Sequence, residues 1–395
     1  MQILVINSGS SSIKFQVFEM PSEQVICSGI VERIGLEDAI ITYKVNGEKH
    51  KNVTNIPNHK VGLKLVSEYL MDDKIGVIQS TNDIHAVGHR VVHGGSTFTK
   101  TTLISTEVKE KIKELFDLAP LHNPANLEGI QVAEEIFTNA KQVAVFDTAF
   151  HQSIPQVAYK YAIDNKYLEK HKVRAYGFHG TSHKYVSEKA REFLGNENSD
   201  KLITVHLGNG CSITAVKDGK SIDHSMGFGP MNGLIMGSRC GDIDPAVIFY
   251  MIDKLGYTSV EVNQILNKQS GMIGLTNGLS DMRDVEGNAE NGDAICQSAL
   301  DMKIYRIVKY IGAYVAALDG LDALVFTAGI GENSDIVRKG VCEQLSYFGI
   351  DLNLEENAIR SGEIREIQST KATTKVLIVP TNEELEIAKQ SFELI

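Results

Sequence analysis

Two arginines stand in glycine-rich segments that could bind an anion. Arg90 lies in GHRVVHGG, at the end of a run of β-branched residues, and Arg239 lies in MGSRCGDIDP, just before a predicted helix. Proteins of the α/β class place functional residues in loops at strand ends. A guanidinium offers the planar, paired donors that suit a carboxylate or a phosphoryl group. Taken singly, each arginine is better explained as an ordinary ion-pair residue, so the anion-binding interpretation depends on their neighbours.

An aspartate and a histidine extend this set. Asp147 follows QVAVF and precedes TAFH, where a carboxylate can bind a metal, orient a nucleophile or cap a turn. His179 stands between two glycines in YGFHGTSH, which suits either a transition-state hydrogen-bond donor or a buried histidine bonded to the backbone. His179 is four residues from His183, as His89 is from His93, but this spacing binds zinc only on a helix. A catalytic zinc site is therefore disfavoured.

Three glycine-rich turns could hold phosphate. ILVINSGSSSIKFQVFE near the N-terminus and LITVHLGNGCSITAVKDGK in mid-chain both read as strand, turn and strand, which aligns Gly9 with Gly210, Ser10 with Cys211 and Ser11 with Ser212. Backbone N–H groups in such turns can converge on an anion. The likeness is either chance or a duplicated domain whose two turns grip a polyphosphate. The third turn, AGIGENS at 328–334, is a phosphate site in outline, but neither a Walker A loop nor a Rossmann fingerprint.

Two acids open a predicted C-terminal helix. Glu383 and Glu384 lie in IVPTNEELEIAKQ, which is typical of a strand, a turn and a helix. As acids in the first turn of a helix they need no further role. Glu383 could instead hold Mg²⁺ through water, with Asn7 nearby, because Mg²⁺ keeps several waters and needs few protein carboxylates.

Composition excludes several classes of protein. The chain has 395 residues and a net charge of -11, which is not the charge of a general nucleic-acid-binding protein. Its longest apolar runs are strand-sized, far below the ~20 residues of a membrane span. The N-terminal MQILVINSGSSS lacks the basic and apolar regions of a signal peptide. Five scattered cysteines without a CxxC pair predict a reduced, cytoplasmic protein. From the net charge and the short apolar runs we expect no nucleic-acid or membrane partner.

Strand-like and helical segments alternate along the chain, which predicts an α/β fold. Short apolar runs predict strands at 2–6, 13–18, 85–92, 142–146, 201–206, 212–217, 323–327 and 375–379. Helical patterns predict helices at 106–118, 123–137, 183–194, 245–254, 260–268, 291–318 and 335–345. Arg90, Asp147 and the glycine turns fall at the ends of these strands.

These motifs, in this order, resemble the acetate kinases, in the acetate and propionate kinase group of the sugar-kinase, chaperone-ATPase and actin superfamily. The resemblance spans the chain and is carried by NSGSSSIKF, GHRVVHGG, LHNPAN, FDTAFH, YGFHGTSH, HLGNGCS, SRCGDIDP, SDMRD, AGIGENS and PTNEE. Ser238 is a minor departure, since Thr is common there. The family implies two ribonuclease-H-like domains, a duplicated mixed β-sheet flanked by helices, with the active site in a cleft between them. The N-terminal acetate-kinase domain would be 1–148 with 384–395, and the nucleotide-binding and dimerisation domain 149–383.

The resemblance also implies roles for individual residues. Arg90 and Arg239 would hold the carboxylate and the transferring phosphoryl group, Asp147 would orient them or act through magnesium, and His179 would hydrogen-bond the phosphoryl group. Contacts to ATP or ADP would come from Asn7, Ser10, Ser12, Lys14, His206, Leu207, Gly208, Asn209, Gly210, Asp281, Met282, Arg283, Gly329, Ile330, Gly331, Glu332 and Asn333. The methyl group would lie in an apolar pocket of Val92, Leu121, Phe178 and Pro230. The metal would be placed by Asn7 and Glu383.

The implied activity is reversible phosphoryl transfer from ATP to acetate, giving acetyl phosphate and ADP by direct in-line transfer with Mg²⁺ or Mn²⁺, in a homodimer. Two alternatives stay open. The first is a kinase for propionate or another short-chain carboxylate. Such a substrate is longer than acetate by a methylene or two, and one methylene changes the binding free energy in a pocket by only ~1–3 kcal/mol. A conformational ATPase, as in actin or chaperones, would share the fold but would not need the arginine pair or the acyl pocket.

Overall fold

The computed structural model describes residues 1–195 and 199–395. The contacts within this part of the chain divide it into two units. The first unit is Met1–Phe150 with Asn382–Ile395, and the second is His151–Thr381. The chain therefore returns to the first unit with its last helix. The domain bounds expected from the family resemblance, 1–148 with 384–395 and 149–383, remain a prediction.

The first unit is built on an eight-stranded mixed sheet. Its strands are β1 (Gln2–Ser8), β2 (Ser12–Glu19), β3 (Gln24–Glu32), β4 (Ala39–Val45), β5 (Glu48–Thr54), β6 (Ile84–Val91), β7 (Thr102–Leu103) and β8 (Lys141–Phe146). They lie in the order β5-β4-β3-β2-β1-β6-β8-β7, in which β1 to β5 are antiparallel neighbours and β1, β6 and β8 are parallel. The helices are α1 (His59–Leu70), α2 (Thr106–Glu114), α3 (Asn123–Ile136) and the last helix of the chain, α15 (Glu383–Leu394).

The packing of α15 against this sheet positions part of the site. The central strand β1 is buried on both faces, with residues 3–6 each at most 1% exposed, as expected for a strand covered on both sides. α15 contacts β1 and β6 and approaches β6 so closely that a Cβ atom on Gly88 would lie 2.6 Å from Ser391 Oγ. Glycine at position 88 therefore allows the acids at the start of α15 to approach the strand that carries Arg90.

The described part of the second unit contains a six-stranded mixed sheet flanked by helices. Its helices before the sheet are α4 (Gln156–Tyr159), α5 (Asn165–His171) and α6 (Gly180–Leu194). Its strands are β9 (Lys201–Leu207), β10 (Cys211–Lys217), β11 (Lys220–His224), β12 (Ala323–Thr327), β13 (Arg365–Glu366) and β14 (Lys375–Ile378). The other helices are α7 (Pro245–Asp253), α8 (Ser259–Lys268), α9 (Gly271–Leu275), α10 (Met282–Glu290), α11 (Ala294–Leu318), α12 (Ala328–Asn333), α13 (Asp335–Cys342) and α14 (Leu354–Ala358).

The two sheets repeat one topology. The order β11-β10-β9-β12-β14 matches β3-β2-β1-β6-β8, with the same parallel and antiparallel pairs. The predicted α/β class and duplicated mixed sheet are therefore confirmed. The residue alignment of the two turns is wrong in detail, because the first turn separates Ser8 from Ile13 and the second, one residue shorter, separates Leu207 from Cys211. Within 1–195 and 199–395, no helix is long and apolar enough to cross a membrane.

Candidate active site

In the first unit, Arg90 and Asp147 form a buried ion pair. Arg90 stands one residue before the end of β6, and Asp147 directly follows β8, the parallel neighbour of β6. Because the carboxyl ends of parallel neighbours meet at one edge of a sheet, the two side chains are adjacent. Arg90 Nε donates to Asp147 Oδ2 at 3.0 Å, and Nη2 donates to the same oxygen. The Asp147 side chain is only 1% exposed and that of Arg90 is 19% exposed, so the carboxylate fixes a guanidinium that keeps limited contact with water.

Glu383 brings a second carboxylate to this edge. It is the first residue of α15, with Oε2 3.8 Å from Arg90 Nε. The next residue, Glu384, pairs with Lys14 Nζ at 2.6 Å. Burial alone would lower the pKa of Arg90, but the nearby carboxylates outweigh that effect and raise it. Burial and the neighbouring carboxylates raise the pKa of Glu383 against the opposing effect of the two cations.

The first glycine turn spans residues 9–11, between β1 and the start of β2. The Gly9 N–H donates to the Ser12 carbonyl at 2.8 Å and closes the turn. Ser10 at its tip is exposed, and Asn7 is partly buried near the end of β1. Lys14, predicted to serve this turn, has its ammonium engaged by a carboxylate of α15.

A buried asparagine that the sequence analysis quoted only as part of LHNPAN supports this turn. Asn126, on α3, donates from Nδ2 to the Ser8 carbonyl at 2.7 Å, and its Oδ1 accepts from the Val92 N–H at 3.0 Å. One side chain thus ties the glycine turn to the segment that directly follows Arg90. The motif LHNPAN therefore holds the first glycine turn beside the segment that carries Arg90.

The four apolar residues predicted around the methyl group are divided between the units. In the first unit Val92 is buried and Leu121 is 57% exposed. In the second unit Phe178 is buried and Pro230 is partly exposed. The acyl pocket that they would form remains a prediction.

In the second unit, His179 has an uncommon backbone conformation. It precedes α6 with a φ of +55°, in the left-handed region that few non-glycine residues adopt. The preceding Phe178 is held at both backbone groups. Its N–H donates to His224 Nε2 at 3.1 Å, and its carbonyl accepts from His151 Nε2 at 3.0 Å. Two buried histidines therefore fix the backbone from which the His179 ring projects.

The His179 ring and Arg239 meet at the second glycine turn. His179 Nδ1 is 2.9 Å from Ser212 Oγ, and the ring stacks on His206 with centroids 4.4 Å apart. A Cβ atom on Gly210 would lie 3.1 Å from His179 Nε2 and 3.8 Å from Arg239 Nη1. Both the His179 ring and the Arg239 guanidinium therefore lie beside Gly210, where no side chain separates them from the turn.

Arg239 differs from Arg90 in its partners. Its Nη1 donates to the Pro230 carbonyl at 3.0 Å, and no carboxylate of the described second unit forms an ion pair with it. Burial lowers the pKa of this guanidinium. Its positive charge is held by a neutral acceptor, and an incoming anion would balance that charge.

A pocket of about 850 Å³ in the second unit collects many of the predicted nucleotide contacts. Its lining includes Gly208, Asn209, Asp281, Met282, Arg283, Gly329, Ile330 and Asn333. Asp281 caps α10 by accepting from the Arg283 N–H at 2.9 Å. Hydrogen bonds from Arg283 lower the pKa of Asp281 to about 2. The volume lies within the range of small-molecule sites, roughly 300–1,000 Å³.

Five other predicted contacts in the second unit are not among the lining residues that the described chain gives this pocket: Gly331, Glu332, His206, Leu207 and Gly210. The segment AGIGENS forms the short helix α12 rather than an open turn. Glu332 Oε1 accepts from the backbone N–H groups of Ala328 at 2.8 Å and Thr381 at 3.0 Å. His206 Nδ1 is bonded to Ser182 Oγ at 2.8 Å, and Leu207 is fully buried.

A buried lysine that was not predicted as a site residue also lines this pocket. Lys303, on α11, is 1% exposed and lines the pocket. Its Nζ donates to the Ile235 carbonyl at 2.9 Å and lies 3.4 Å from Cys211 Sγ. The available signal was a lysine on the apolar face of a long helix, in register with Leu300 and Ile307.

Both histidine pairs with four-residue spacing include a member engaged in other bonds. His89 Nε2 donates to Gln142 Oε1 at 2.8 Å, and His183 is bonded to Thr204 and Ser212. Among the residues that the structure describes, no group of three His, Cys, Asp or Glu side chains is arranged to hold a metal ion.

Comparison with known proteins finds the model of the acetokinase family across residues 2–389. An acetate kinase of Flavobacterium johnsoniae is 62% identical over 395 residues, covering 100% of both chains. The solved structure of Porphyromonas gingivalis acetate kinase is 42% identical with a TM-score of 0.94, covering 100% of this chain and 99% of that one. A propionate kinase structure from Francisella tularensis subsp. tularensis SCHU S4 is also 42% identical, with a TM-score of 0.93 and 100% of both chains covered.

Proposed function

This chain belongs to the acetokinase family, and on that premise we propose that the polar side chains of its two units serve one reaction. That reaction is phosphoryl transfer from ATP to acetate, which gives acetyl phosphate and ADP. The residue assignment is carried by the contrast between the two arginines. Arg90 is fixed by Asp147, whereas Arg239 bonds a neutral carbonyl. A pair of guanidinium groups suits a reaction in which two anions must meet.

The acetate carboxylate needs positioning more than activation. It is ionised at neutral pH and is already a nucleophile, so no strong general base is required. The barrier comes from repulsion between two anions and from charge on a metaphosphate-like group. Fixed positive charge and hydrogen-bond donors lower that barrier, because they need no reorganisation during the reaction.

Each charged residue has a part in this scheme. Arg90, oriented by Asp147, holds the acetate carboxylate. Arg239 and His179, which meet at Gly210, contact the transferring phosphoryl group. The pocket lined by Gly208, Asn209 and the adenosine residues binds ATP and ADP. Transfer is direct, so a phosphorylated Glu383 or His179 that is competent to phosphorylate acetate would contradict the scheme.

The charge balance at the first unit's sheet edge fits Mg²⁺. Asp147, Glu383 and Glu384 supply three carboxylates against two cations, Arg90 and Lys14. The raised pKa of Glu383 marks a carboxylate that a further cation would stabilise. Glu383 and Asn7 would hold Mg²⁺ largely through water, as this ion prefers. Bound there, Mg²⁺ would offset charge on the phosphates.

Acetate is the acceptor, and propionate is the second candidate because one structural relative is a propionate kinase. The discriminating experiment measures ATP turnover with Mg²⁺ and acetate, propionate or butyrate. We expect the highest kcat/KM with acetate and a preference over propionate of about 10- to 200-fold, the discrimination that one methylene allows. A higher kcat/KM with propionate would reverse the assignment. Turnover that ignores all three acids would indicate a conformational ATPase.

A homodimer and a cytoplasmic location complete the proposal. No residue of α7 is buried, and Phe249 and Tyr250 on it are 61% and 58% exposed. A second copy of the chain would cover this apolar face. Sedimentation should give a dimer that Phe249→Glu dissociates, and a monomeric wild type would contradict it.

All five cysteines are unpaired, which suits a reducing compartment.

A further inference from the structure

Three buried polar side chains form a hydrogen-bonded chain that ends at His179. Thr204 Oγ1 lies 2.7 Å from His183 Nδ1, His183 Nε2 lies 2.7 Å from Ser212 Oγ, and Ser212 Oγ lies 2.9 Å from His179 Nδ1. Thr204, His183 and Ser212 are each fully buried. Neither Ser212 nor Thr204 is among the residues to which the family resemblance gives a role.

We propose that Ser212, backed by His183 and Thr204, is a positioning residue that fixes the orientation and the tautomer of His179. The inference rests on the proposed role of His179 as a donor to the phosphoryl group. A neutral imidazole has one N–H and one acceptor nitrogen. If Ser212 donates its hydroxyl proton to Nδ1, the ring proton stands on Nε2, the nitrogen that faces Gly210.

With the ring proton of His179 on Nε2, each hydrogen bond in this chain of side chains has a donor and an acceptor. The Thr204 hydroxyl donates to His183 Nδ1, His183 Nε2–H donates to Ser212 Oγ, and the Ser212 hydroxyl donates to His179 Nδ1. The Ser212 hydroxyl then accepts one hydrogen bond and donates another, and each ring nitrogen of His183 makes one, as buried polar groups require. The opposite sense would put the His179 proton on Nδ1 and turn the Nε2 lone pair toward an anionic phosphoryl oxygen. A bound phosphoryl group therefore selects the first sense.

The surroundings keep His183 in the form that this chain needs. Burial, with His151 and His206 nearby, lowers the pKa of His183 well below its ordinary value. A neutral His183 can pass a hydrogen bond from one side of its ring to the other, whereas an imidazolium would donate at both nitrogens and could not accept from Thr204. The backbone clamp on Phe178 sets the position of the ring, and Ser212 sets its rotation about the χ angles.

A double-mutant cycle tests this inference. Ser212→Ala and the nearly isosteric Ser212→Cys should each lower kcat about tenfold, the rate equivalent of one hydrogen bond, with KM for ATP and acetate nearly unchanged. In a His179→Ala background, Ser212→Ala should have no further effect on kcat. The matched control is Ser187→Ala, which removes a buried serine hydroxyl on α6 that donates to the Lys184 carbonyl of the same helix and should leave kcat unchanged.

The outcomes distinguish the proposed role of His179 in the reaction from the proposed role of Ser212 in positioning it. If His179→Ala leaves kcat unchanged, the proposed role of His179 fails and this inference fails with it. If His179→Ala lowers kcat but the effect of Ser212→Ala simply adds to it, only the inference fails. ¹⁵N NMR of labelled histidines gives an independent readout. The signal lost in His179→Ala should show protonated Nε2 in the wild type and tautomer averaging in Ser212→Ala. Protonated Nδ1 in the wild type would overturn the proposal.

Discussion

Asp147 accepts two hydrogen bonds from Arg90, one from Nε and one from Nη2, on the same carboxylate oxygen. The pair joins the ends of two parallel strands, and Asp147 is almost completely buried. A buried carboxylate in this position compensates the charge of the arginine and also fixes its plane. The guanidinium is thus pre-oriented by Asp147, as the proposed role of Arg90 in holding a carboxylate requires.

Asp147→Asn should lower kcat by about 10²- to 10³-fold, the loss typical of removing one preorganised electrostatic group. The amide keeps the shape but not the charge, so Arg90 would turn toward Glu383. Steady-state kinetics with acetate and ATP provide the measurement. Asp38→Asn is the control, because it breaks an exposed Arg–Asp pair in the same unit and should leave kcat unchanged. An Asp147→Asn enzyme with wild-type kcat would show that the pair is only structural.

The raised pKa of Glu383 predicts a pH-dependent need for Mg²⁺. A carboxyl whose pKa lies above its ordinary value takes up a proton earlier as pH falls, and that proton competes with the metal. The Mg²⁺ concentration for half-maximal rate should therefore rise with falling pH in the wild type. Glu383→Gln should need more Mg²⁺ at every pH and lose this dependence. Glu393→Gln, on the exposed end of the same helix, should behave as the wild type; parallel curves for all three proteins would refute the metal role.

The second glycine turn depends on glycine at a neighbouring position. A Cβ atom on Gly237 would lie 2.0 Å from Asn209 Oδ1, and the Gly237 N–H donates to the Asn209 carbonyl at 2.9 Å. Gly237→Ala should displace the turn and raise KM for ATP about tenfold or more, a loss of at least one hydrogen bond's worth of binding, with a smaller change in KM for acetate. Gly362→Ala, where the space around the Cβ is open, is the matched control. An unaltered KM for ATP in Gly237→Ala would remove Asn209 from the nucleotide site.

His89 links stability to pH. Burial lowers its pKa to about 4, below the ~6.5 of an unfolded histidine. The unfolded chain therefore binds more protons between these values, and stability is lost as pH falls from about 6.5 to 4, by up to about 3 kcal/mol for this group. His89→Gln keeps a donor for Gln142 but cannot titrate, so its urea-unfolding free energy should fall less steeply with pH. His85→Gln, at an exposed site on the same strand, should follow the wild type. Equal slopes for His89→Gln and wild type would contradict the assignment.

The local pattern of apolar residues was enough to predict the strands at the centres of the two sheets. The strand predicted at 323–327 is β12, because a continuous apolar run is buried on both faces. The strand β5 was missed because it lies at the sheet edge and none of its side chains is buried. The helix predicted from His183 begins at Gly180, since the left-handed His179 starts it within a segment that looks like a turn.

The site required tertiary information that no local pattern holds. Arg90 and Asp147 could each be chosen from their motifs, but their contact depends on β6 pairing with β8. Asn126 and Ser212 lie in quoted motifs, but their contacts could not be predicted, because Ser8 and His179 are 118 and 33 residues away in the chain. The family resemblance assigned Lys14 to the phosphate turn, yet its ammonium pairs with Glu384, which is brought there only when α15 packs on the sheet.

The central claim is that this chain phosphorylates a carboxylate by means of two guanidinium groups. The most direct test incubates the enzyme with ATP, Mg²⁺ and acetate in the presence of hydroxylamine, which traps acyl phosphate as a hydroxamate. We expect acetate-dependent hydroxamate in the wild type and a loss of at least about 10²-fold in both Arg90→Ala and Arg239→Ala. ATP hydrolysis without hydroxamate, or trapping that persists in both arginine variants, would contradict the account.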